Sequence, residues 1–406
     1  MSKVIVIGAG PAGMMAALEA SKNHDVMLLE KNEKIGKKLY ITGKGRCNVT
    51  NAKDIGDFFE NIPGNPYFLY SALYSFTNKD TINLLEDLGV DLKVERGDRV
   101  FPKSDKSSDI INAFQKALID SGVKINLNSE VTSIHYSNCN IQYVEVNNKT
   151  KFYADYFIIC TGGVSYPQTG STGDGLKYSK LMGHKIIETK GSLVPIQLKE
   201  SFVKELQGLS LKNVELKIFE DKNLVYKNFG EMLFTHFGIS GPIVLTGSRY
   251  IEENKQYKIK INLKPALNEK ELDERIQKDF SKNLNKDFRN SLNELLPQKI
   301  IPTIISLSGI DENKKVNSIT KTERKQLVHL IQNLTFNVEK LRPIAEAIVT
   351  AGGVTIKEID PSTMQSKIID NLYFAGEVMD VDAFTGGYNV QIAFSTGYLA
   401  GNKVGK

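Results

Sequence analysis

Apolar and polar positions change rhythm several times along the chain. The opening KVIVIGAG is a short, nearly continuous apolar run ending in glycines. PAGMMAALEASKN follows with helical composition, and DVMLLEK is a second apolar run. Strand, tight turn, helix and strand within about thirty residues predict a βαβ unit with a parallel pair. DTINLLEDLGV and SSDIINAFQKALIDSGV carry helical patterns that close near a glycine. INLNSEVTSIHY, IQYVEVNN and KFYADYFIICTGG read as strands.

The rhythm shifts near Gly191. Residues 191–266 alternate as strands do, in VELKIFE, LVYKNFG and YKIKINLK. Residues 267–339 are highly charged with helical spacing, in EKELDERIQKDF and KTERKQLVHLIQNL. From EAIVTAGGV onward glycine-punctuated strands return, and the chain closes on NLYFAGEVMD and a helix, GGYNVQIAFSTGYLAG. The simplest organisation is one α/β domain, 1–190 with 340–406, interrupted by an inserted domain, 191–339. A length of 406 residues agrees with this, because single cores stop growing at roughly 250–300 residues.

Composition narrows the classes. Hydrophobic residues at 41% and charged residues at 24% suit a globular chain. A net charge of +5 admits acidic ligands without indicating nucleic acid. Cys47, Cys139 and Cys160 form no CxxC, so neither a dithiol centre nor a metal site is expected. Unpaired cysteines fit a reducing compartment, and a cytoplasmic location is expected. The apolar start is broken by Gly8, Gly10, Pro11 and Gly13 where a signal peptide is continuous. No run reaches the ~18 apolar residues of a membrane span.

Gly8-Ala9-Gly10-Pro11-Ala12-Gly13 is GxGxxG between a strand and a helix, and Glu30 ends the next strand 17 residues later. That context is the dinucleotide-binding fingerprint. The first glycine makes the turn, the second lets backbone approach a pyrophosphate, and the third lets helix and strand pack closely. Free N–H groups at the helix start favour phosphate, and Glu30 would accept from ribose hydroxyls. At the other end, a buried strand reaches Gly376-Glu377, and Gly387-Tyr388-Asn389-Val390 opens the last helix. Flavoproteins of the two-dinucleotide type end this way, with the acid on the ribityl chain and the helix start at the flavin pyrimidine ring. FAD is therefore the expected cofactor.

The motifs VIGAGPAGMMAA, GKKLYITGKGRCNVTN, RVFPKSDKSSDI, CTGGVSYPQTGSTGDG, FTHFGISGP and DVDAFTGGYNVQIAFSTG occur in this order. Together the chain resembles the HI0933-like (YhiN-like) family of FAD-binding proteins over nearly its whole length. The resemblance implies a GR2-type, Rossmann-like FAD domain with an inserted β-barrel-like and helical domain. It also implies NAD(P)/FAD-dependent oxidoreductase chemistry. Some members resemble aminoacetone oxidases, and others a flavoprotein reductase of bile-acid metabolism. One departure is local: many relatives have SGGGRCN where this chain has TGKGRCN, so Lys44 replaces a bare glycine.

By the geometry of that fold, the basic segment from Lys31 to Arg46 runs back over the cofactor. Lys31, Lys38 and the unit Gly45-Arg46-Cys47-Asn48 are its candidate contacts, with Lys38 and Arg46 facing the phosphates or the flavin. Cys47 reads as a small apolar filler rather than a nucleophile. Thr161 and Gly162 would pass the adenine and pyrophosphate half, and the backbone of Val131 would meet adenine. No catalytic acid or base is evident; His236, before a glycine loop of the insert, is a candidate and has a structural reading too.

The expected function is hydride transfer between bound FAD and a small organic substrate lying between the two domains. No second GxGxxG exists, so NAD(P)H would visit transiently, and oxygen is an alternative acceptor. Two competing readings are a non-catalytic FAD-binding module and an RNA-acting flavoprotein. The latter would need a basic stripe with interleaved aromatics, and the mixed signs of 268–335 argue against it. No nucleic-acid partner is expected on this reading.

Overall fold

The computed structural model describes every residue from Met1 to Lys406 except Lys44. The chain forms two compact units: Met1–Ser192 with Ile344–Lys406, and Leu193–Pro343.

The first unit is built on a five-stranded sheet in the order Leu372–Phe374, Tyr156–Ile159, Lys3–Ile7, Asp25–Leu29, Lys124–Asn126, all neighbours parallel. Val4, Ile5, Val6 and Ile7 are all buried, so both faces of the central strand are covered. This explains why the strands read as unbroken apolar runs rather than alternating ones. The helix Pro11–Ala20 lies against the final helix, Tyr388–Lys403, through small residues. A Cβ on Gly397 would stand 2.3 Å from the carbonyl oxygen of Ala12, and one on Gly401 2.4 Å from that of Ala16. Phe114 and Phe394 stack at 5.3 Å, both fully buried; burying each side chain contributes about 1.5–3 kcal/mol.

Two sequence runs divide between sheets. INLNSEVTSIHY splits into Lys124–Asn126, in the parallel sheet, and Val131–Ser137, in a three-stranded antiparallel sheet. KFYADYFIICTGG splits likewise into Thr150–Phe152 and Tyr156–Ile159. Apolar rhythm alone does not register such a change of partner.

The second unit is a closed six-stranded barrel in the order Ile196–Leu198, Gly238–Ser240, Asn223–Phe234, Ser210–Glu220, Tyr257–Asn262, Leu334–Leu341. Strand alternation buries Leu216, Ile218, Ile259, Ile261 and Phe336 in its core. Helices Glu269–Ser281 and Lys321–Gln332 each begin with a capping box, from Asn268 with Glu271 and from Thr320 with Glu323. No helix among the described residues is long and apolar enough to cross a membrane.

Candidate cofactor site

The fingerprint turn is fixed by backbone contact. Gly8 has φ +99°, and a Cβ there would lie 2.7 Å from the Cys160 carbonyl oxygen. A Cβ on Gly13 would lie 1.8 Å from the Gly8 carbonyl oxygen. Gly10 differs: its φ is −74° and an added Cβ would meet nothing within 4 Å. Pro11 occupies the first helical turn, where no N–H is needed. Met14 is the first residue to bond back, to Gly10 at 2.9 Å. The N–H groups of Ala12 and Gly13 thus have no partner among the described residues. Glu30 is buried beside this loop and accepts from the Ala9 N–H at 2.8 Å, the Asn32 N–H at 2.9 Å and the Asn32 side chain at 2.7 Å.

The basic segment does return to the fingerprint, since the Gly36 N–H donates to the Ala9 carbonyl at 2.9 Å. Its three candidate cations, Lys31, Lys38 and Arg46, however, are held by carboxylates. Lys31 donates to Asp174 at 2.6 Å and also bonds Thr172. Lys38 donates to Ser165 at 2.7 Å and to Glu377 at 2.8 Å. Arg46 grips Glu95 with two bonds of 2.9 Å, reaches Asp105 at 3.0 Å and lies 4.1 Å from the Phe101 ring centroid. Arg46, expected at the phosphates or the flavin, thus makes a partly exposed bidentate ion pair with Glu95. Its cause is the antiparallel pair Leu92–Glu95 and Arg99–Pro102, which brings those partners alongside. The hydrogen bond to Glu95 raises the guanidinium pKa further, and the bond from Arg46 holds the Glu95 carboxyl low. The Gly45 carbonyl accepts from the Ser107 N–H at 3.0 Å. Cys47 is fully buried at φ +59°, and burial pushes its thiol far above the ordinary range. Asn48 is buried, and its Oδ1 has no partner among the described residues. Lys44 lies outside the described residues.

Thr161 abuts Gly8, and its buried Oγ1 also has no partner among the described residues. Gly162 turns at φ +71° against Ser171. Val131 is buried, and its carbonyl accepts from the Tyr178 hydroxyl, so that oxygen is already engaged by the protein.

The C-terminal elements meet the N-terminal ones. A Cβ on Gly376 would come 2.9 Å from the Ala12 Cβ. Glu377 accepts from the Thr350 N–H at 2.7 Å, Ser165 at 3.0 Å and Lys38 at 2.8 Å. Burial alone would raise its pKa; the Lys38 ammonium and these hydrogen bonds hold it below the ordinary value instead. Gly387, at φ +101°, presses on the Thr50 carbonyl. Tyr388 meets Phe58 edge-on at 4.9 Å, and burial pushes its phenol up to about 12. Asn389 braces the preceding loop by two bonds to Ala383, of 2.9 and 2.7 Å. Val390 is half-buried. Gln391 is the first residue of this helix to bond back, to Gly387, and no side chain caps the helix start. The N–H groups of Tyr388, Asn389 and Val390 have no partner among the described residues.

Three residues of this constellation escaped the sequence reading. Ser165 and Thr350 complete the Glu377 cluster; Thr350 Oγ1 accepts from the Val164 and Ser165 N–H groups at 2.9 and 3.2 Å. The available signal was the bare Gly163, whose Cβ would sit 2.3 Å from that oxygen. Gln391 is the third: buried, it joins Thr50, Thr81, Ser395 and the Phe76 carbonyl. His236 lies on an exposed bend of the barrel unit, edge-on to Phe237 at 4.9 Å. It has no acid–base partner among the described residues.

Known proteins resemble the chain over nearly its whole length. The chain is 32% identical over 403 residues to the ribosomal RNA dihydrouridine synthase of Haemophilus influenzae, covering 98% of this chain and 97% of that one. It is 30% identical over 409 residues to the 3-dehydro-bile acid delta(4,6)-reductase of Clostridium scindens, covering 99% and 98%. Among solved structures, the open conformation of a flavocytochrome c3 fumarate reductase superposes with a TM-score of 0.52 at 19% identity, over 99% of this chain and 78% of that one. At that identity the likeness speaks for the fold alone. The family model described as the HI0933-like protein Rossmann domain matches residues 2–403, and the chain belongs to that family.

Proposed function

We propose that the protein is an FAD-dependent oxidoreductase that saturates a carbon–carbon double bond activated by a neighbouring carbonyl. The observation that carries the cofactor is the pair of buried, unpartnered oxygens, Thr161 Oγ1 and Asn48 Oδ1. Each would cost about 1–3 kcal/mol if left unsatisfied, and both belong to loops with which the sequence lines a cofactor. The rest of the set fits FAD. The N–H groups of Ala12 and Gly13, with the open space at Gly10, suit a pyrophosphate. Glu30 retains acceptor capacity for ribose hydroxyls, because a carboxylate offers about four lone-pair sites. The bare start of the final helix would receive the flavin pyrimidine edge. Once bound, FAD would supply the hydride.

The reaction class rests on the two relatives, whose named activities both saturate a ring double bond. Neither Cys47 nor Cys160 would serve as the proton donor or nucleophile, since burial pushes both thiols up. A small organic enone is the first substrate reading, with NAD(P)H as transient donor and oxygen as an alternative acceptor.

A second reading, a uracil ring within ribosomal RNA, is favoured by the charge distribution. Leu193–Pro343 holds 25 of the 52 Lys and Arg but 19 of the 47 Asp and Glu, a net of +6; the other unit holds 27 against 28. The basic excess thus belongs to the insert. Anaerobic reduction of the FAD-loaded protein by NADH or NADPH, followed by reoxidation with a 3-oxo-4-ene steroid or with ribosomal RNA, tests both readings. Dihydrouridine in the digested RNA selects the second. A flavin that no nicotinamide bleaches and neither substrate reoxidises overturns the reductase reading.

A further inference from the structure

On the barrel, three lysines from different segments stand side by side. Lys217 pairs in register with Lys227 on one neighbouring strand and with Lys260 on the other. Lys260 continues the row to Thr335. Strand alternation turns the row outward, since Leu216, Ile218, Ile259 and Ile261 beside these lysines are buried in the core. Neighbouring strands lie about 4.8 Å apart, so the row spans roughly 10 Å. Like charges directly opposite one another destabilise a sheet. Glu215 offsets part of this, bonding Lys217 at 2.8 Å and Lys227 at 2.9 Å. Lys260 and its neighbour Lys258 have no ion pair among the described residues. Aromatic rings interleave with the cations. Lys260 lies 5.3 Å from the Phe219 ring centroid, and Phe229, opposite Glu215, is 51% exposed.

Ammonium groups beside exposed ring faces suit a single nucleic-acid strand, with cations for phosphates and rings on which bases stack. The net +6 of this unit is the complementary charge. We propose that this outer barrel face, centred on Lys217, Lys260 and Phe229, docks a single-stranded segment of RNA. The proposal rests on the ribosomal RNA reading above and adds the surface that would hold the strand.

The test is fluorescence anisotropy of a labelled dodecauridylate with the full-length protein across a salt series. Wild type should bind, with log affinity falling linearly with log salt. Each lost phosphate contact on a single strand lowers that slope by about 0.7, so Lys217→Gln with Lys260→Gln should lower it by about 1.4. Phe229→Ala should weaken binding about tenfold with the slope unchanged, as loss of one stacked base does. Flavin content after FAD reconstitution and reduction of a free enone should be the same in all variants. Failure of the docking proposal is thereby separable from failure of the reductase reading. Absence of wild-type binding at about 50 mM salt, or equal slopes in wild type and the double variant, overturns the proposal. Competition by polyglutamate as effective as by RNA also overturns it, in favour of an acidic protein partner. If the double variant is poorly folded, each single Gln variant should lower the slope by about half as much.

Discussion

Lys38 and Glu377, 339 residues apart in the chain, close an ion pair of 2.8 Å. The contact joins the segment after the second strand to the turn after the last strand of the same sheet. Ser165 touches both partners and Thr350 holds the other carboxylate oxygen, so three other segments converge on one carboxyl group. A half-buried pair of this kind needs further hydrogen bonds to offset its desolvation, and Ser165 and Thr350 supply two to the Glu377 carboxylate.

Removing the cation exposes the cost of that carboxylate. Lys38→Met should destabilise the apo-protein by about 2–4 kcal/mol at neutral pH, below the full cost of breaking a wholly buried pair. The pH dependence follows from the lowered pKa of Glu377. A carboxyl held below its ordinary value gives stability that is present above about 4.5 and lost as pH falls through the folded-state value. Wild type should therefore lose stability below pH 4.5. In Lys38→Met, burial acts unopposed by the ammonium, so the penalty should shrink on acidification as the carboxyl protonates. Urea unfolding between pH 4 and 8 checks this; a constant difference between the two proteins across that range would contradict it.

Much of the first unit was legible because local rules carry it. The run KVIVIGAG, the glycine spacing and Glu30 specify strand, turn, helix and strand without reference to anything distant. The final helix was legible for the same reason. Partnerships made through tertiary packing were not. Arg46 looks free in sequence, yet the strand pair behind Glu95 takes it, 49 residues away. Gln391 reads as one polar residue in an apolar helix, while the fold makes it the centre of a buried network. The lysine row is hidden more completely. Lys217, Lys227 and Lys260 become a stripe only through strand register, so a scan for consecutive charge finds mixed signs and no stripe.

The fingerprint glycines should separate folding from binding. Gly13→Ala drives a methyl group to 1.8 Å from a backbone oxygen that cannot yield. Its turn must distort, with an expected loss of at least about 2 kcal/mol, in line with overpacking. Gly10→Ala meets open space at an ordinary φ, so the apo-protein should unfold within about 1 kcal/mol of wild type. The added methyl would instead stand where a pyrophosphate is expected, and FAD affinity should fall at least about tenfold. Thermal unfolding of the apo-proteins and fluorescence titration with FAD measure the two effects. A Gly10→Ala variant with unchanged FAD affinity would remove the pyrophosphate from that loop.

The start of the final helix gives a prediction on redox poise. Reduction leaves negative charge over N1 and the C2 carbonyl of the flavin. On the proposed reading, the unpartnered N–H groups of Tyr388, Asn389 and Val390 face that edge, with the positive end of the helix behind them. Proline is unsuitable as a probe here. Gly387 holds φ +101°, which proline cannot adopt, and Asn389 anchors the loop through Ala383. Val390 is the better position, half-buried and within the first turn. Val390→Asp places a carboxylate there, which the helix dipole itself tolerates but which repels the charge gained on reduction. A tenfold penalty on the reduced form is about 1.4 kcal/mol, or about 30 mV for a two-electron couple. The midpoint potential should therefore fall by at least that amount in Val390→Asp. Val390→Thr, similar in shape and uncharged, should stay near wild type. Spectroelectrochemistry on variants that retain FAD reads both values. Equal potentials in the two variants would mean that this helix start does not face the flavin.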